Sequence, residues 1–196
     1  MATRTAKLAA AMASSYLLVI GLSAPPAGAE DAFARISGVT QGQIQGDQTA
    51  LIGIANSANA VQVFTTGFNL ANPVGTTPGQ VTGRPIAGPL SFVKRFDRAS
   101  PKLLRAAFTS EPLTVEIVWW MSTNNGARQT TTIKLDNALI TNIDAAASLG
   151  GVSASGNEEV TLSYGRITFT VPTINAAGNV TGTTSVCLDV AQGKAC

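Results

Sequence analysis

Residues 90–120 read LSFVKRFDRASPKLLRAAFTSEPLTVEIVWW, and their reading decides the fold. The run ends one strand, makes one short helix and opens another strand. Ser100 is placed to accept a free backbone N–H of the first helical turn. Pro101 follows at N1, where a missing N–H is harmless and its fixed φ suits a helix. Leu103 with Ala107, and Leu104 with Phe108, are spaced four apart and predict one apolar stripe. Thr109, Ser110 and Pro112 end the helix. About two turns are marginal alone, so this helix must lie against a sheet or plug a barrel end. Lys94, Arg95, Asp97 and Arg98 precede it, a cluster that reads as a solvated corner of local ion pairs or as an intersubunit contact.

The strand that follows, Leu113–Met121, alternates. Leu113, Val115, Ile117, Trp119 and Met121 share a core face. Thr114, Glu116, Val118 and Trp120 share the other, because neighbouring residues of a strand point to opposite sides. The two tryptophans therefore cannot share one core, and Trp120 is expected against the helix, a loop or another subunit. Outward from here the chain reads as β-structure. Phe33–Ile36, Leu51–Ile54, Ala60–Phe68 and Leu90–Val93 are short strands. Asn124-Asn125-Gly126 marks a hairpin into Thr130–Ile143. Ala145–Asn157 reads as a Gly/Ser/Ala connection. In Glu158–Val171, Val160, Leu162 and Tyr164 share one face while Ile167, Phe169 and Val171 share the other, which predicts a bend at Gly165. Thr184–Val190 closes the fold. About eight short strands, one helix at about 100–109 and a long extended loop at about 72–89 predict a mainly β fold, a compact closed β-barrel or a two-sheet β-sandwich. The loop holds Pro73, Pro78, Pro85, Pro89 and four glycines, and is expected to lack regular structure.

The first 29 residues are read apart from the fold. Arg4 and Lys7 precede the apolar run Leu8–Ala24, Pro25-Pro26 break it, and Ala27-Gly28-Ala29 precedes Glu30. This is the pattern of a cleavable secretory signal peptide, cut between Ala29 and Glu30. Residues 30–196 then form a single domain large enough for one core. Arg4 and Lys7 account for the whole net charge of +2, so the chain from Glu30 is neutral. There is no basic excess for nucleic acid and no basic amphipathic helix for a membrane after the signal is removed. Only 12% of residues are charged, leaving little repulsion to oppose self-association. Cys187 and Cys196 are the two cysteines, and in an oxidising compartment a bridge would fasten the tail.

The chain has no histidine, which excludes a Ser-His-Asp triad, an HExxH zinc site and a histidine base. Glu158 and Glu159 diverge in a strand and make a poor acid/base pair. The expectation is a non-enzyme without cofactor or metal.

Four blocks in order resemble Hcp, the tube-forming protein of bacterial type VI secretion. They are Phe33-Ala34-Arg35-Ile36 with Gly38, Val39 and Gly42; Leu90, Ser91, Phe92, Lys94, Asp97, Ser100, Pro101 and Leu103; Thr132–Leu135 through Leu139-Ile140; and Glu158–Tyr164. The resemblance implies a structural barrel subunit with one side helix, a homohexameric ring, and rings that stack and contact a spike protein or secreted effectors. It also implies that the long loop bridges rings, with Asn72, Val74, Thr76, Thr77, Gln80, Val81 and the outward Trp120 as candidate ring or stacking residues. The family assembles inside the cell, whereas this leader addresses the chain to general export, to the periplasm or outside. An exported monomeric β-barrel binding module is the alternative.

Overall fold

The computed structural model describes residues 30–51, 54–74, 76, 80–123, 126–150, 153–175 and 180–196. The expected leader and its cleavage residue Ala29 lie outside these residues, as do Asn124, Asn125 and Thr77. Among the described residues twelve strands and one helix follow in order: β1 Glu30–Gly38, β2 Gly42–Ile44, β3 Val61–Val63, β4 Thr65–Gly67, β5 Leu70–Ala71, β6 Ile86–Ala87, β7 Leu90–Arg95, α1 Ser100–Phe108, β8 Leu113–Thr123, β9 Gly126–Gly150, β10 Ser153–Ile174, β11 Val180–Asp189 and β12 Lys194–Ala195.

All pairings are antiparallel. The main sheet runs β12-β11-β10-β9-β8-β1-β2, with β3 beside β1, β7 beside β10, and β4 beyond β7. A closed barrel is not what these residues form. The path is open, and the two strands that could join its ends, β3 and β4, are three residues each and pair with different partners. They part at Phe64, whose N–H reaches Val93 O (2.9 Å) across the corner. Strands this short, broken at a corner, fold the sheet over instead of completing a ring of ladders. The result is the two-sheet sandwich with one helix.

The β9–β10 ladder is irregular between Thr161 and Leu162, and β10 changes partners around Gly165, where the alternation predicted a bend. Before it, β10 pairs with β7 over Asn157–Leu162; after it, with β11 over Arg166–Ile174. Val160 and Leu162 are buried before Gly165, and Ile167 after it. Between Ala145 and Asn157 the chain does not loop out: β9 and β10 continue as paired strands to Gly150 and Ser153. Small residues there carry little propensity of their own, so the register set by Ile133–Ile143 propagates the ladder.

The main core joins Ala34, Ile36, Phe92, Leu103, Val115, Ile117, Leu135 and Leu162. Each large buried side chain contributes about 1.5–3 kcal/mol of hydrophobic stabilisation. Trp119 packs at its margin. Trp120 belongs to a second cluster with Phe33, Ala60 and Val118, covered by Leu51 and Ile54. The covering loop is held by bonds from Gly46 N to Asn59 O (2.8 Å) and from Gln48 N to Ala60 O (3.0 Å).

Candidate functional site

The helix is fixed by polar contacts, beginning with the Lys94 side chain. Alternation along β7 turns Lys94 inward (side chain 0% exposed). Its ammonium meets Glu158 Oε1 at 2.5 Å and Asp97 Oδ1 at 2.7 Å, and donates to Ser100 Oγ (3.0 Å) and Arg95 O (2.6 Å). Lys94 and Glu158 are register partners on β7 and β10. Of the expected solvated corner, Lys94 and Asp97 therefore join Glu158 in a buried ion network, whereas Arg95 and Arg98 stay exposed and Arg98 pairs locally with Asp47. Ser100 is not the N-cap: Ala99 holds that position, and no side chain caps it. The Ser100 hydroxyl instead donates to Glu158 (2.6 Å) and accepts from the Asp97 N–H (3.1 Å), while the Asp97 carboxylate accepts from the Ala99 N–H (2.9 Å). A buried charge needs such partners, because an unpaired one is costly.

The far end of the helix is held by Glu111. Its carboxylate accepts from the N–H groups of Thr40 (2.6 Å) and Gln41 (2.8 Å) and from Gln41 Nε2 (2.7 Å). The Gln41 N–H is the chief cause that holds this carboxyl below its ordinary pKa, against the opposing effect of burial, with the Gln41 amide, the Thr40 N–H and Arg105 adding to it. The turn it grips needs Gly42 at φ +64°, a conformation glycine adopts freely.

Only part of the expected helical stripe is buried. Leu103 and Ala106 face the core, whereas Leu104 and Phe108 are 62% and 92% exposed. The outward apolar pair was legible as apolar and i,i+4, but not as outward.

The long loop is more regular than its prolines and glycines suggested. Leu70 and Ala71 pair with Ala87 and Ile86. Val74 bridges Val81, and the Thr82 N–H donates to Pro73 O (2.9 Å). The Tyr164 hydroxyl donates to Gly88 O (3.0 Å) at the root, and burial raises its phenol pKa. The described residues of 72–89 thus form a pinned arm. Of the candidate residues, Asn72, Val74, Thr76, Gln80 and Val81 are exposed along it. Trp120 is covered by its own chain and does not join them.

Cys187 and Cys196 are bridged. The bridge closes a tail in which β12 pairs with Leu188 and Asp189 of β11. An apolar cavity of about 180 Å³ separates this tail from the arm root, between Leu188 and Val190 on one side and Leu70 and Ala87 on the other.

These features define a structural subunit: a sandwich whose polar interior clamps a helix, and an arm that presents apolar side chains outward. Residues 33–171 match the family described as type VI secretion system effector, Hcp. The "Major exported protein" of Pseudomonas aeruginosa is 31% identical over 165 residues, covering 77% of this chain and 94% of that protein. A solved structure described as Hcp protein is 27% identical with a TM-score of 0.67, covering 82% of this chain and 99% of its own. The secreted protein Hcp3 of Pseudomonas aeruginosa is 25% identical with a TM-score of 0.58, over 80% of this chain and 97% of its own. The chain belongs to the Hcp family of type VI secretion. It is accordingly a structural, non-catalytic protein. The bridged tail lies beyond the matched segment 33–171.

Proposed function

We propose that this chain is the building block of a homohexameric ring, that the rings stack through the 72–89 arm, and that the assembly contacts a spike protein or secreted effectors. The observation that carries the stacking reading is the arm itself. Val74, Val81 and Ile86 are all more than half exposed on a hairpin that the body of the subunit does not cover. Apolar side chains grouped on a projecting element mark a contact surface. Asn72, Thr76 and Gln80 supply its polar rim.

We also propose that residues 1–29 are removed by cleavage between Ala29 and Glu30, delivering the protein to the periplasm or the outside. The tail disulfide suits that compartment. N-terminal sequencing of the exported protein tests this; a chain that retains Met1 refutes it.

Native mass spectrometry of the processed protein tests the ring. Six-fold species support it, and a clean monomer shifts the reading to an exported monomeric binding module. Deleting Thr76–Gly83 should leave folded subunits that stack poorly; unchanged stacking refutes the arm's role.

A further inference from the structure

The strongest unexplained feature is a distribution of charge. From Asp47 onward nearly every carboxylate is matched. Asp47 pairs with Arg98, Asp97 and Glu158 with Lys94, Glu116 with Arg35, Asp136 with Lys134, and Asp189 with Arg166. Glu111 is held by N–H groups. Among the described residues two remain without a cation, Asp144 and Glu159, and they are register partners on β9 and β10, both exposed. Among the described residues Asp144 accepts only an amide hydrogen of Asn142 (2.6 Å). Arg95, two residues along β7 from Glu159's partner Val93, lies over the Phe64 ring (5.2 Å). Like charges directly opposite on a sheet are destabilising, so this face is unsatisfied in the lone subunit.

The outward face of α1 has the converse character. Lys102, Leu104, Arg105 and Phe108 are all exposed. Among the described residues the Lys102 ammonium reaches only Gln43 O, at 3.4 Å, and Arg105 forms no ion pair, though its charge helps to lower the pKa of the Glu111 carboxyl. Lys102 and Arg105 are three apart, which puts their Cβ atoms about 5–6 Å from one another. Directly opposed strand residues such as Asp144 and Glu159 are separated by about 4.5–5.5 Å. The two pairs are opposite in sign and similar in spacing. Phe64, about half exposed, and the half-buried Val93 beside the acidic pair offer apolar surface for Leu104 and Phe108.

We infer that the outward face of α1 on one copy docks on the Asp144–Glu159 face of a neighbouring copy, making a head-to-tail contact. This rests on the ring reading above and names the surfaces that would build it. A heterologous contact between two different patches generates rings when the rotation closes. A second copy fits better than a polyanion, because the chain from Glu30 has no basic excess and carries the acidic partner itself.

Charge reversal tests this. K102E/R105E and D144K/E159K are each made in the processed protein, with circular dichroism to show that the fold is kept, and assembly is followed by sedimentation velocity at about 0.15 M salt. Each pair alone should weaken association by about 100-fold, and the four changes together should restore it to within about 10-fold of the original. Assembly unchanged by either pair overturns the docking while leaving the ring reading standing. Failure of the combined variant to recover also overturns it, and loss with the helix pair alone assigns the helix a different occupant. An unaltered protein that stays monomeric to about 100 μM overturns the ring reading and the docking together.

Discussion

Replacing Lys94 by methionine should be among the most damaging single changes available in this fold. Methionine keeps the length and most of the volume of lysine, so packing against β7 and β10 is nearly preserved. The ammonium is lost, however, and with it the only cation among the described residues within 4 Å of both Glu158 and Asp97. Glu158 is 4% exposed and Asp97 9%, so water cannot replace the missing partner. Glu158 would keep the Ser100 hydroxyl and Asp97 the Ala99 N–H, which offsets part of the cost. Removing one partner of a buried ion pair costs about 3–5 kcal/mol. For a domain of this size about 2–4 °C of Tm goes with each kcal/mol, so the melting midpoint should fall by about 6–20 °C.

The pair term is isolated by a cycle with Glu158→Leu. E158L leaves Lys94 with Asp97, Ser100 and the Arg95 carbonyl, and should cost about 1.5–3 kcal/mol. The double variant K94M/E158L removes the Lys94–Glu158 pair and leaves only Asp97 without its cation, so it should cost less than K94M alone, because an apolar replacement of a buried pair is often nearly neutral. Urea titration with a constant m-value measures all three variants. If K94M lies within about 1 kcal/mol of the original protein, or if the double variant costs the sum of the two singles, the argument that this network is held by mutual charge compensation is wrong.

Glu111→Gln tests the other end of the helix. The folded carboxyl titrates below its ordinary value, so its ionised form stabilises the fold above the unfolded pKa of about 4.3, and that stability is lost as pH falls through the lower folded value. The original protein should lose melting temperature in that acid range more steeply than E111Q; parallel curves between pH 3 and pH 7 would count against the role given to Glu111. Replacing both cysteines by serine opens a loop with a sequence separation of 9, worth about 2–3 kcal/mol by loop closure. Because the loop is terminal, the expected result is rapid proteolysis of the tail with little change in global unfolding, read by mass spectrometry of a limited digest; a tail as resistant as before would refute it. Gly46→Ala would place a Cβ 2.5 Å from Ala60 O and 2.7 Å from Val61 Cα. Backbone cannot swing aside, so destabilisation of about 1–3 kcal/mol is expected by urea titration, and an unaffected midpoint would show that the 46–60 loop is looser than its hydrogen bonds imply.

What was legible in the sequence depended on local period. Leu113–Trp120 alternates, and its odd positions face the core as expected. The change of phase at Gly165 marked the point where β10 exchanges β7 for β11. Readings that needed tertiary partners failed or stayed open. Ser100 looks like a cap because the residue type suits one, but the hydroxyl has a stronger use on Glu158, a residue 58 positions away. Leu104 and Phe108 look like core because they are apolar and correctly spaced; a period fixes a stripe, not which way the stripe turns. Lys94 and Glu158 announced nothing individually, since a charged residue within a strand is read as exposed until its register partner is known. Closure of the barrel was equally out of reach, because it turns on three-residue strands and one corner at Phe64.

The polar interior and the proposed docking face meet in one element. The start of α1 is tied through Ser100 to Glu158 and Lys94, the segment just past its end through Glu111 to the 38–42 turn, and its underside through Leu103 and Ala106 to the core. A nine-residue helix has little stability of its own, so without these ties Leu104, Arg105 and Phe108 would sample many positions. Ordering them at the moment of contact would cost about 0.5–1.5 kcal/mol for each immobilised side chain, beyond the cost of the backbone. Clamping the backbone in the folded subunit moves that part of the cost from association to folding. The sandwich can bear it because its core is continuous across both layers. On this argument the buried charges matter less for the stability they add than for the rigidity with which they present an otherwise marginal helix.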